Sequence, residues 1–86
     1  MLKPYESKKI VVAGEMSSID FSDDDTATIT FVGGEIKRVH SKNLRHRLPD
    51  SRPVFVIFYQ DGYVSFCPKE TFEREYWEAP YHEHGG

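Results

Sequence analysis

Six cations fall between positions 37 and 52: Lys37, Arg38, Lys42, Arg45, Arg47 and Arg52, with His40 and His46 among them. An arginine presents a planar fork of donors that meets a phosphate or carboxylate two bonds at a time, and lysine adds a point charge. Residues of these types, so spaced, suit the phosphates of a nucleotide or nucleic acid, or the acidic face of a protein. The stretch holds a single acid, Asp50, and so carries +5 within a chain whose net charge is −3, leaving −8 elsewhere. The acids gather at Asp20 and Asp23 to Asp25, and again at Glu70, Glu73, Glu75, Glu78 and Glu83. The surface is therefore expected to be polarised. A dedicated nucleic-acid binder is usually basic overall, and this chain is not. Two readings compete: a solvated connection that balances acids elsewhere in the domain, and an anion- or partner-binding strip of Lys37, Arg38, His40, Lys42, Arg45, Arg47 and Arg52.

Other residue types with chemical potential fare less well. Cys67 precedes Pro68 at the expected start of a helix, where a thiolate can be stabilised. A nucleophile also needs a base beside it, and the sequence places none there. The alternative is a half-buried small hydrophobe standing where Ser would cap the helix. His82 and His84 form an HxH pair, but a metal site needs three or four ligands held in geometry. The acidic run Asp23 to Asp25 lacks the spaced acids, central Gly and final Glu of a calcium loop and reads as a turn. No phosphate-binding glycine loop, HExxH or GxSxG occurs. The expectation is a binding module, not an enzyme, with no catalytic residue, no metal and no cofactor.

The elements that must position these groups follow from the pattern. Eighty-six residues make one domain, 1–86, with 1–8 and 81–86 expected to fray. A chain this short has a small core, and its six Phe, five Tyr and one Trp must supply much of it. Mean hydropathy is −0.57. No stretch reaches the length of a membrane span, and the N-terminus has no apolar core of a secretory signal. One cysteine cannot form an internal disulfide, which suits a reducing cytoplasm. Lys9 to Ala13 reads as a strand ended by Gly14, and Met16 to Phe21 as a second, weaker one. Ser22 to Asp25 is a turn. Thr26 to Val32 alternates cleanly, and Gly33-Gly34 turns it into a returning strand, Glu35 to His40. Ser41 is the expected cap of a short helical turn, followed by a loop from Leu48 to Pro53. Val54 to Tyr59 is continuously apolar, as in a strand buried on both faces. Gln60 to Gly62 turns it back into Tyr63 to Cys67.

Pro68 is expected at the first position of a C-terminal helix. Lys69 with Glu73, and Glu70 with Arg74, have the spacing of ion pairs on it. Phe72, Tyr76 and Trp77 would form its apolar side, and Pro80 would end it. The fold class is thus α+β: a small antiparallel sheet or partly open barrel of five to six short strands with a helix packed on it. Tyr76, Trp77 and Tyr81 exceed what one helix face can bury, and are candidates for protein contact or self-association.

The run Asp61-Gly-Tyr-Val-Ser-Phe-Cys-Pro-Lys-Glu-Thr-Phe-Glu-Arg-Glu-Tyr76 resembles the ending of many small proteins of tailed bacteriophages. Their pattern is an Asp-Gly-Tyr turn and strand, then Ser-Pro opening a helix with Phe-Glu and a Tyr. Here Cys67 stands for the usual Ser and Phe66 for a common Trp. The resemblance covers residues 61–76 and implies a phage or prophage accessory gene acting in the cytoplasm of a bacterial host. Such a protein would work stoichiometrically on a host or phage macromolecule, as an inhibitor of host defence for example, or would sequester an anionic ligand such as a nucleotide or nucleic acid. Two alternatives use the same residues differently: an acidic surface that mimics nucleic acid toward an enzyme, and a structural or assembly part of a virion.

Overall fold

The computed structural model describes residues 2–6 and 10–78. Among the described residues, six strands of four or more residues and one of two form an antiparallel sheet. These are β1 (Lys3–Glu6), β2 (Ile10–Phe21), β3 (Thr26–Phe31), β4 (Ile36–His40), β5 (Val54–Phe58), β6 (Val64–Pro68) and β7 (Trp77–Glu78). Two short helices, α1 (Leu44–Arg47) and α2 (Lys69–Glu75), interrupt them. The sheet is not a closed barrel: among the described residues β4 pairs only with β3, and β6 only with β5.

The long strand β2 joins two halves of the sheet. Its first residues pair with β1 (Ala13 opposite Lys3) and with β5 (Ala13 opposite Ile57), so both of its edges are occupied there. Its last residues pair with β3, from Met16 opposite Phe31 to Phe21 opposite Ala27, and a register shift between Met16 and Ser18 marks the change of partner. A bulge of this kind bends a strand and re-aims its side chains. The sequence pattern ends a strand at Gly14, but β2 runs through it. Gly14 is buried opposite Val56. Pairing on both sides of this stretch outweighs the modest cost of glycine in a strand.

Strand β5 meets the expectation for its apolar run. Val54 and Val56 enter one cluster with Met16, Ala27, Ile29 and Phe31. Phe55 and Ile57 enter a second on the opposite face, with Val11, Ala13 and Phe72. The turns are also as expected. Gly33, Gly34 and Gly62 have φ of 108°, 98° and 94°, values an L side chain rarely adopts.

Helix α2 lies over the second cluster and contributes Phe72, which is 1% exposed. Phe72 stacks between two rings, 4.2 Å from Phe55 and 4.6 Å from Tyr76, centroid to centroid and nearly parallel. Three details differ from the sequence-based expectation. Pro68 closes β6 and precedes the helix, so Lys69 is the first helical residue. Neither Cys67 nor any side chain caps it; the Lys69 N–H donates instead to the Pro53 carbonyl, 2.9 Å away. Finally, the helix stops at Glu75, well before Pro80. Tyr76 is extended, and Trp77 and Glu78 pair with Glu6 and Tyr5. Ladder bonds to β1 satisfy the backbone there as well as another helical turn would. Lys69 meets Glu15 of β2 at 3.0 Å, which ties the helix to the sheet.

Phe72→Ala removes the central ring of the stack and is expected to cost about 3–5 kcal/mol. In a domain of this size that is a large share of total stability. Urea denaturation followed by circular dichroism checks it, and a midpoint within error of the parent would contradict the packing described.

Candidate basic groove at the first helix

The acidic turn Asp23–Asp25 and the basic segment meet. The Asp25 carbonyl accepts from the Ser41 N–H at 2.8 Å, and the Asp24 carbonyl from the Arg45 N–H at 2.9 Å. The Asp25 carboxylate accepts from the Asn43 N–H at 2.9 Å. The Asp24 carboxylate stands 3.7 Å from Arg45 Nε and 3.6 Å from His46 Nε2. The turn is therefore a clamp that holds α1. Asn43, not Ser41, precedes that helix. It adopts the left-handed conformation, φ 59°, which asparagine tolerates better than most residues. Leu44 anchors the turn in the core with no exposed area.

Arg47 completes the scaffold. Its Nη1 donates to the Val64 carbonyl of β6. Its Nη2 donates to Ser41 Oγ at 2.7 Å and to the Lys42 carbonyl at 3.0 Å, and its Nε reaches the same carbonyl at 3.2 Å. The guanidinium lies over the Tyr63 ring, 4.6 Å from its centroid. A guanidinium so engaged is a positioning group, with most of its donor fork committed.

The other candidate cations occupy distinct settings. Lys37 is exposed and lies over the Phe58 ring at 5.3 Å. Arg38 and Lys42 are exposed, with no ion pair to another described residue. His40 Nδ1 shares a 2.9 Å hydrogen bond with Thr26 Oγ1. Arg45 lies over the Phe21 ring at 5.0 Å as well as near Asp24. Arg52 folds onto its own loop, donating to the Pro49 and Ser51 carbonyls at 2.6 and 2.9 Å. It lines a separate depression with Pro53, Pro68 and Lys69. The segment is thus partly self-compensated, as the solvated-connection reading anticipates.

Where the cations do converge is a wide, shallow groove of about 600 Å³ lined by Lys42, Asn43, His46, Arg47 and Tyr63. Two of its members were not singled out by residue type. Asn43 gives no signal in a sequence. Tyr63 does give a weak one: it alternates with the buried Val64 and so faces away from the core, and it is 48% exposed. Of the aromatics proposed for protein contact, Tyr76 is half-buried in the ring stack. The Trp77 backbone pairs with Glu6, and Tyr81, His82 and His84 lie outside the described residues.

Among the described residues titration is perturbed at few sites. Burial, and secondarily the charge of Glu75, push the Cys67 thiol above its ordinary 9.0, which keeps it protonated at neutral pH. The hydrogen bond that Lys69 Nζ donates to the Glu15 carboxylate raises the Lys69 pKa, reinforced by the charge of the same carboxylate. Asp23 is held below the ordinary 3.8, chiefly by the Asp25 N–H that donates to it at 2.8 Å. Among the described residues no three His, Cys, Asp or Glu side chains are placed to hold a metal ion.

Two outcomes test this scaffold. Arg47→Lys keeps the charge but loses the fork, and is expected to lower stability by about 2 kcal/mol. A chemical-denaturation midpoint unchanged by the substitution would contradict the role given to Arg47. Asp23 binds a proton less readily folded than unfolded, so its contribution is present above pH 3.8 and is lost as pH falls through its folded value. Asp23→Asn should therefore flatten the acid limb of the stability profile, read as Tm against pH between neutral and strongly acid buffer. An unchanged acid limb would show that the turn does not carry this linkage.

No protein-family model matches the chain, and neither a curated protein nor a solved structure is significantly similar to it.

Proposed function

We propose that this is a non-enzymatic binding protein of phage type that acts stoichiometrically, and that its working face is the groove at Lys42, His46 and Tyr63 with the exposed cations of β4 beside it in sequence. The observation that carries the reading is the groove itself. Its scaffold is held by backbone and side-chain bonds from Asp24, Asp25 and Arg47, while Lys42 stands exposed without an ion pair among the described residues. A braced scaffold presenting an unpaired cation, here Lys42, suits an anion site, because less ordering is left to be done on binding. The resemblance of residues 61–76 to phage proteins supports the biological setting, a bacterial host cell. No helix among the described residues is long and apolar enough to cross a membrane.

The alternative reading as an acidic mimic draws less support. Asp24 and Asp25 face Arg45, His46 and the α1 backbone, so their charge is partly answered within the domain.

Charge reversal tests the anion reading. Binding of inorganic pyrophosphate and of single-stranded oligonucleotides is measured by calorimetry at low and high salt. The anion reading expects binding at low salt that weakens as salt rises, and a loss of about tenfold or more in Lys42→Glu. Binding of none of these probes even at low salt would overturn it.

A further inference from the structure

The groove pairs its cations with an exposed aromatic ring, and a bare anion has no use for that ring. We infer that the groove takes a nucleoside monophosphate unit, with the base stacked at Tyr63 and the phosphate at Lys42 and His46; this rests on the anion-binding reading above and narrows its ligand. Tyr63 keeps nearly half of its surface open although Arg47 lies against it. Tyr59 touches the same ring at 5.9 Å and a 46° tilt, and the Tyr63 N–H donates to the Asp61 carboxylate at 2.9 Å. Arg47 and Tyr59 thus flank the ring, and the bond to Asp61 holds the backbone that carries it. Arg47 lies over one face of the ring, so the surface that Tyr63 leaves open is where a base, which has a π face of its own, would stack.

The remaining lining groups suit the rest of a nucleotide. Lys42 Nζ supplies up to three donors to phosphate oxygens. The His46 ring supplies a further donor, and the Asp24 carboxylate near it is shared with Arg45. The Asn43 side chain offers both a donor and an acceptor, the combination a base edge presents in return. The groove volume, about 600 Å³, lies in the range of small-molecule sites. Bound this way, the ligand undergoes no covalent change.

The same unit exists free or within a single strand, and the test separates these sources. The four ribonucleoside monophosphates, adenosine, inorganic pyrophosphate and a short oligothymidylate are titrated into the full chain and followed by calorimetry and by proton NMR of the ligand. The expected result is upfield movement of base protons for at least one monophosphate, with adenosine and pyrophosphate each binding about tenfold more weakly. Tyr63→Ala is expected to weaken that monophosphate about tenfold, and Tyr63→Phe, which keeps the π face, by less than about threefold. Tighter binding of the oligomer than of any monophosphate assigns the unit to single strands, and the reverse order to free nucleotides; either supports the inference. Pyrophosphate binding as tightly as every monophosphate, with no upfield shift in the parent protein, overturns it and leaves the anion reading standing. Adenosine binding as tightly as AMP removes the phosphate contacts and overturns it as well. Failure of every anionic probe overturns both readings.

Discussion

The strand Val54–Phe58 is the element on which the rest of the domain leans. It pairs with β2 along one edge and β6 along the other, and it is buried on both faces. Because side chains alternate along a strand, five consecutive apolar residues can serve two clusters at once. Val54 and Val56 face the cluster closed by β3, β4 and Leu44; Phe55 and Ile57 face the one closed by Phe72 of α2. A chain of this length has little apolar material to spend, and a two-faced strand uses it twice. The bend of β2 follows from the same arrangement. One strand must border β5 at one end and β3 at the other, and the register shift after Met16 lets it do both.

Edges are then closed by unlike means. β1 is bordered by the two residues of β7, and α1 lies by β6, where the Arg47 guanidinium occupies the Val64 carbonyl. β4 has no second neighbour among the described residues and carries Lys37 and Arg38, charges of the kind that discourage two such edges from pairing. Thus the basic segment has structural work at Arg47, Arg52 and Arg45, and the acids of Asp24 and Asp25 belong to the same construction. Lys42 and Tyr63, both exposed, line the groove beside the helix that this clamp holds. Site and fold share their supports here, so substitutions at the clamp should be judged by stability before binding.

Residue order alone settles a good deal about this protein. The alternation of Thr26 to Phe31, the glycines at positive φ and the unbroken apolar run of β5 are local patterns whose physical cause lies within a few residues, and each is legible without neighbours. The small antiparallel sheet with a short helix follows from them. So does the concentration of cations at 37–52, since charge can be counted without a fold.

Tertiary structure decides what depends on partners distant in sequence. The continuation of β2 through Gly14 needs β1 and β5 on either side, and the early end of α2 needs β1 to receive Trp77 and Glu78. Neither is encoded in local propensity. The division of the cations is of the same kind: Arg47 is committed because Val64, Ser41 and Tyr63 converge on it, whereas Lys42 stays exposed at the edge of the groove. A count of charges cannot separate a cation that builds a surface from one that the surface presents, because that distinction is made by contacts across the fold.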